Sequence, residues 1–131
     1  MLGSAQIVAF VATKDAEKAR AFYVDVLGLR FVSDDQFALV IDANGITVRI
    51  AKTRELAPQP FTVLGWEVAD IKATVKGLVE KGAVFERWGF MEQDELGIWT
   101  APEVDNASGG ALVAWFKDPD GNLLSVSQHR G

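Results

Sequence analysis

The sequence predicts an α+β fold in which two βαβββ modules stand in tandem and form a cupped mixed sheet, with residues 1–131 making a single domain. Three observations carry that expectation. Strand-like and helix-like periodicities follow one another in the same order twice along the chain. The helix-capping candidates Asp15 and Asp70 lie 55 residues apart, and the helix-ending candidates Gly28 and Gly82 lie 54 apart. The two halves therefore keep register to within one residue, as an internal repeat requires.

Module one spans about residues 5–55. Residues 6–12 (QIVAFVA) read as a strand, and from Asp15 the apolar Ala19, Phe22, Tyr23, Val26 and Leu27 recur at helical spacing up to Gly28. Asp15 suits an N-cap, because its side chain accepts from a free backbone N–H of the first turn. Gly28 suits the left-handed position just past a helix. Short strands follow at 29–32, 37–41 and 46–51, the last two joined through Asn44-Gly45, a pair favoured in tight hairpins.

A Pro-containing linker at about 56–60 leads into module two, about 61–128. A strand is expected at 61–68, then an Asp70-capped helix carrying Ile71, Val75, Leu78 and Val79 up to Gly82, then strands at 83–86, 98–101, 111–116 and 123–127. Residues 118–122 (DPDGN) form the turn before the last strand. Gly28 and Gly45 lie 17 positions apart while Gly82 and Gly121 lie 39 apart, which implies an insertion of 22 residues, placed within about 87–109.

Composition narrows the function classes. At 49% apolar residues the chain has material for one core. No run approaches the roughly 20 apolar residues of a membrane span, and the N-terminus has neither the basic flank nor the apolar run of a secretory signal, so the chain reads as cytoplasmic. The absence of cysteine excludes disulfides, thiolate metal sites and a cysteine nucleophile. A net charge of −5 without any Lys/Arg cluster argues against nucleic acid or an anionic membrane as partner, and also serves solubility. Neither G-x-G-x-x-G nor a P-loop pattern occurs.

The repeat, together with KDAEKARAFYVDVLGLRF after the first strand and WFKDPDGNLLSV before the last, resembles the vicinal-oxygen-chelate superfamily, which contains glyoxalase, bleomycin-resistance proteins and extradiol dioxygenases. The likeness covers roughly residues 5–128 and identifies a scaffold more than a reaction. It implies ligand binding inside a cup, a homodimer, and, in metal-dependent members, ligands at four equivalent strand positions. Those positions here hold Val8, Arg49, Val63 and Ser125. Valine has no lone pair, serine is a weak neutral ligand, and a guanidinium repels a dication. Gln6 shares the strand face of Val8 and would approach that position if the register shifted by one pair. His129, the only histidine, cannot supply a two-histidine site and reads as a solvated tail residue. No cofactor is expected.

By strand alternation Val8 and Arg49, and Val63 and Glu67, face the cup. Arg49, a cation between Val48 and Ile50, would hold a carboxylate or phosphate, or else pair internally with Glu67. Trp88, Phe90, Met91 and Trp99 on the insertion would line the site, cover it, or form a subunit contact. Trp115 and Phe116 occupy opposite faces of one strand, so one of them faces the cup, whereas Trp66 is expected on the helix side. Glu86, Glu92, Asp94 and Glu95 are candidate acids or bases without a paired nucleophile, and Ser125 has no evident activating base. The leading expectation is a metal-independent binding protein for a small, partly anionic, amphipathic molecule. The alternative is a lyase or dioxygenase-type enzyme with atypical metal ligands or a metal-free acid/base mechanism.

Overall fold

A computed structural model of the chain describes residues 1–102 and 110–129. The fold is α+β with tandem modules. Two compact units are present, one comprising Met1–Pro58 with Asp118–Asn122, the other Gln59–Lys117 with Leu123–Gly131. Each unit has its own four-stranded sheet.

In the first unit β1 (Val8–Thr13), α1 (Ala16–Arg20), β2 (Arg30–Asp34), β3 (Ala38–Ala43) and β4 (Ile46–Lys52) follow in order. Asp15 caps α1 by accepting from the Lys18 N–H at 3.2 Å. The helix then widens into a π-helical stretch, Ala21–Val26, and ends at Gly28 with φ of 77°. The sheet order is β1-β4-β3-β2, with β1 parallel to β4 and the rest antiparallel. Asn44 and Gly45 both have positive φ (50° and 92°), the twist that a two-residue hairpin turn demands. One face of the sheet carries the rows Val11, Ile50, Leu39 and Ala9, Val48, Ile41. Leu39, Ile41, Val48 and Ile50 there are buried together with Tyr23 of the helix. Alternation places Val8, Phe10, Thr47, Arg49 and Val40 on the other face.

The second unit has β5 (Leu64–Glu67), α2 (Ile71–Glu80), β6 (Trp99–Thr100), β7 (Ala111–Lys117) and β8 (Leu123–His129) in the order β5-β8-β7-β6. Asp70 caps α2 through the Ala73 N–H at 3.1 Å, and Gln128 Oε1 accepts from the Ile71 N–H at 2.9 Å. Leu124, Phe116, Val126 and Ala114 are buried on one sheet face, with Ile71 and Val75 of α2.

The structure differs from the expectation at two strands. The strand expected at 83–86 reduces to one bridge, Phe85 opposite Phe116. After the Glu86 N–H bonds to the Trp115 carbonyl the chain leaves the sheet, and it rejoins β7 only at Trp99–Thr100. The inserted residues thus interrupt the edge strand itself, so its two ends are short. The strand expected at 61–68 is confined to Leu64–Glu67: Val63 still donates to the Leu123 carbonyl, but the residues after Pro60 turn away. The part of the predicted insertion at 103–109 lies outside the described residues.

The turn 118–122 is packed into the first unit by side-chain chemistry. Asp118, 5% exposed, accepts from the Tyr23 hydroxyl at 2.6 Å, from Asn122 Nδ2 at 2.8 Å and from the Asp120 and Asn122 N–H groups at 2.9 Å. Asn122 also donates to the Ala12 carbonyl, and Asp120 accepts from Thr13 Oγ1 and the Lys14 N–H. Burial first, and the Asp118 charge second, push the Tyr23 phenol far above its ordinary value. No helix among the described residues is long and apolar enough to cross a membrane.

Candidate functional site

Strand register sorts the second unit's side chains into two faces. Gly65 pairs with Ser125 and Ser125 with Trp115; Glu67 pairs with Ser127, Ser127 with Val113, and Val113 with Trp99. These two rows share the face opposite the buried core, since alternate residues of a strand point to opposite sides. Trp66 and Phe116, one residue out of phase, stack at 6.5 Å on the core side. Trp115 is therefore the residue of its pair that looks away from the helix.

Three indoles gather on this open face. Trp115 lies 6.3 Å from Trp88 in an edge-on arrangement and 6.0 Å from Trp99. Trp88 is positioned by Gln93, whose Oε1 accepts from the Trp88 N–H at 2.8 Å while its Nε2 donates to the carbonyls of Glu86 and Gly97. One amide side chain thereby bridges the excursion between Glu86 and Trp99, a role sequence reasoning missed, because glutamine in a loop carries no periodic signal. Against this cluster lies a cavity of about 400 Å³ lined by Pro60, Phe61, Thr62, Trp88, Phe90, Met91, Trp115 and Leu123. Among the described residues its wall holds no ionisable side chain and one hydroxyl, that of Thr62. Phe61 and Leu123, absent from the expected site, enter because the segment after Pro60 turns over the end of β8.

Of the ten residues expected at the site, Trp88, Phe90, Met91 and Trp115 meet in this cavity. Trp99 touches Trp115 but lines a separate, more polar cavity of about 480 Å³ with Lys72, Glu92 and Asp94. Ser125 lies on the strand beside Trp115. Gly65 makes room for its hydroxyl, since a Cβ there would sit 2.8 Å from Ser125 Oγ. Val63 precedes β5. Val8 and Arg49 belong to the first unit, where Val8 pairs with Thr47, and Arg49 lies between Phe10 and Val40. The Arg49 charge acts on Asp35, whose carboxyl is held low first by the Ala38 N–H.

Glu67 has partners the sequence did not suggest. Its carboxylate accepts from Ser127 Oγ at 3.1 Å and from the His129 N–H at 2.7 Å, and it lies 2.6 Å from His129 Nδ1. The backbone N–H of His129 is the largest cause holding this carboxyl below its usual range. His129 is solvent-exposed as expected, but it is the last residue of β8 and bonded to Glu67 rather than a free tail. The period-two run Ser125, Ser127, His129 was the signal that would have shown it. Among the candidate acids, Glu86 pairs with Lys117 at 3.5 Å and Asp94 accepts the Leu96 and Ile98 N–H groups of its own turn.

The four positions marked for metal ligands are equivalent in the two units. Val8 lies two residues before the strand partner of Arg49, and Val63 two residues before that of Ser125. Two valines, a guanidinium and one neutral hydroxyl do not fit a metal. Among the described residues no group of three His, Cys, Asp or Glu converges elsewhere.

Two tandem βαβββ units, each with its own four-stranded sheet, define the class of fold. The chain belongs to the Glyoxalase/Bleomycin resistance protein/Dioxygenase superfamily, whose profile matches residues 5–126. Solved structures share the fold across nearly the whole chain. A member of that superfamily from Sphaerobacter thermophilus DSM 20745 is 24% identical with a TM-score of 0.69, covering 98% of this chain and 100% of its own. TnmS3, an antibiotic binding protein from Streptomyces sp. CB03234, is 22% identical with a TM-score of 0.68, covering 98% of each chain. A glyoxalase/bleomycin resistance protein/dioxygenase from Alicyclobacillus acidocaldarius is 17% identical with a TM-score of 0.68, covering 96% of this chain and 92% of its own. No curated protein matches the sequence.

Proposed function

We propose that this protein binds a small amphipathic molecule in the aromatic cavity of its second unit, without a metal and without transforming the ligand. The observation that carries the reading is the convergence of Trp88, Phe90, Met91 and Trp115 on a cavity of about 400 Å³, within the size range of small-molecule pockets. Indoles supply broad, rigid contact and the Met91 thioether an adaptable, polarisable one. Among the described residues no base is bonded to Ser125, the neighbouring hydroxyl, to make it a nucleophile, so affinity is the chemistry these groups perform. The antibiotic-binding role that names TnmS3 supports sequestration as a use of this fold.

Titration with 1-anilinonaphthalene-8-sulfonate and with neutral two-ring aromatics, followed by tryptophan fluorescence, tests the reading. Saturable binding that weakens at least tenfold in Trp115→Ala and is unchanged by a chelator is the expected result. Binding that survives Trp115→Ala and Trp88→Ala together would show that the ligand sits elsewhere.

A further inference from the structure

We propose that Glu67 receives the positive group of an aromatic cation whose rings lie in the cavity against Trp115 and Trp88, which makes the ligand class of this site cationic aromatic amines. The inference rests on the binding reading above and adds the charge and direction of the ligand.

The described residues of the cavity wall carry no charge, so among them discrimination by charge comes from the sheet face beside the cavity. On that face one row carries Glu67, Ser127, Val113 and Trp99, and the next carries Gly65, Ser125 and Trp115. Two interstrand steps and one two-residue step separate Trp115 from Glu67, roughly 12 Å between Cα atoms. Allowing for both side chains, that span suits a two-ring aromatic with a short ammonium arm. The strand positions between them are Ser125, Gly65 and Ser127, whose side chains are small.

Glu67 is built to accept. Its side chain is 55% exposed, and the convergence of Ser127 Oγ, the His129 N–H and His129 Nδ1 fixes the carboxylate's orientation. A carboxylate has about four acceptor positions, so one remains for an incoming donor. Among the described residues its ion-pair partner is His129, and no described lysine or arginine is paired with it. The indole faces add a second preference of the same sign, because the ring quadrupole attracts cations. The net charge of −5 raises the local concentration of such ligands.

The test compares three probes of one shape, 2-naphthylmethylammonium, 2-naphthylmethanol and 2-naphthylacetate, by quenching of tryptophan fluorescence in the full chain and in Glu67→Gln. The cation should bind about tenfold more tightly than the alcohol, the combined size of one partly exposed charged contact and one cation–π contact. Glu67→Gln, an exposed isosteric change, should cut that advantage to the about threefold that the cation–π contact alone supplies, and weaken the cation more than the alcohol. Equal affinities for cation and alcohol overturn the inference while leaving the binding reading intact. Tightest binding of the acetate, lost in Arg49→Met, overturns it in favour of an anion site in the first unit. Failure of all three probes to quench overturns both.

Discussion

Replacing Tyr23 with Phe removes one oxygen from a fully buried position and leaves the ring in place. In the native chain that oxygen donates to the Asp118 carboxylate at 2.6 Å, one of four donors Asp118 receives. A hydrogen bond to a charged group contributes about 1.5 to 3 kcal/mol. Because three donors remain, the carboxylate stays largely satisfied, and a loss of about 2 kcal/mol is expected from the charged bond and the small void together. At this chain length that lowers the melting temperature by about 5 to 10 °C. The pH dependence gives an independent reading. Tyr23's phenol is raised by burial first, so the unfolded chain loses this proton near pH 10 while the folded chain keeps it. Stability from Tyr23 is therefore complete below about pH 10 and falls as pH rises beyond it. Tyr23 is the only tyrosine, so phenolate absorbance reports this group alone. Thermal unfolding between about pH 7 and 11, in parent and Tyr23→Phe, is the assay. Phenolate should appear only with unfolding, and the variant should lose the steep alkaline limb. Ionisation near pH 10 in a folded chain, or a variant within about 0.5 kcal/mol of the parent, would refute the reasoning.

Two further changes probe the scaffold that carries the site. Asp70→Ala removes the α2 cap that accepts from the Ala73 N–H and should cost about 1 kcal/mol in urea denaturation, with Gln128 still holding the Ile71 N–H. Gly65→Ala would place a methyl 2.8 Å from Ser125 Oγ. A loss of about 1 kcal/mol is expected, mostly recovered in Gly65→Ala/Ser125→Ala, and simple additivity in that cycle would show that the two side chains do not share the space.

Much of this protein was determined along the chain. The caps Asp15 and Asp70, the left-handed Gly28 and Gly82, and the Asn44-Gly45 hairpin are local chemistry: each follows from what a few neighbouring backbone groups require. The double register of these signals specified two like units, and alternation placed Trp115 and Phe116 on opposite faces. Tertiary structure alone decided what meets what. Trp88, Phe90 and Met91 come to Trp115 because the insertion breaks an edge strand and is stapled by Gln93, a set of bonds no periodicity announces. Glu67 finds Ser127 and His129 because β5 and β8, distant in sequence, pair in parallel. Tyr23 finds Asp118 across 95 residues because the turn 118–122 is bonded into the first unit, at Ala12, Thr13 and Lys14 as well as at Tyr23. Local preference dictates an element's kind, whereas a binding site depends on contacts between elements, and those are set only when apolar faces are buried together.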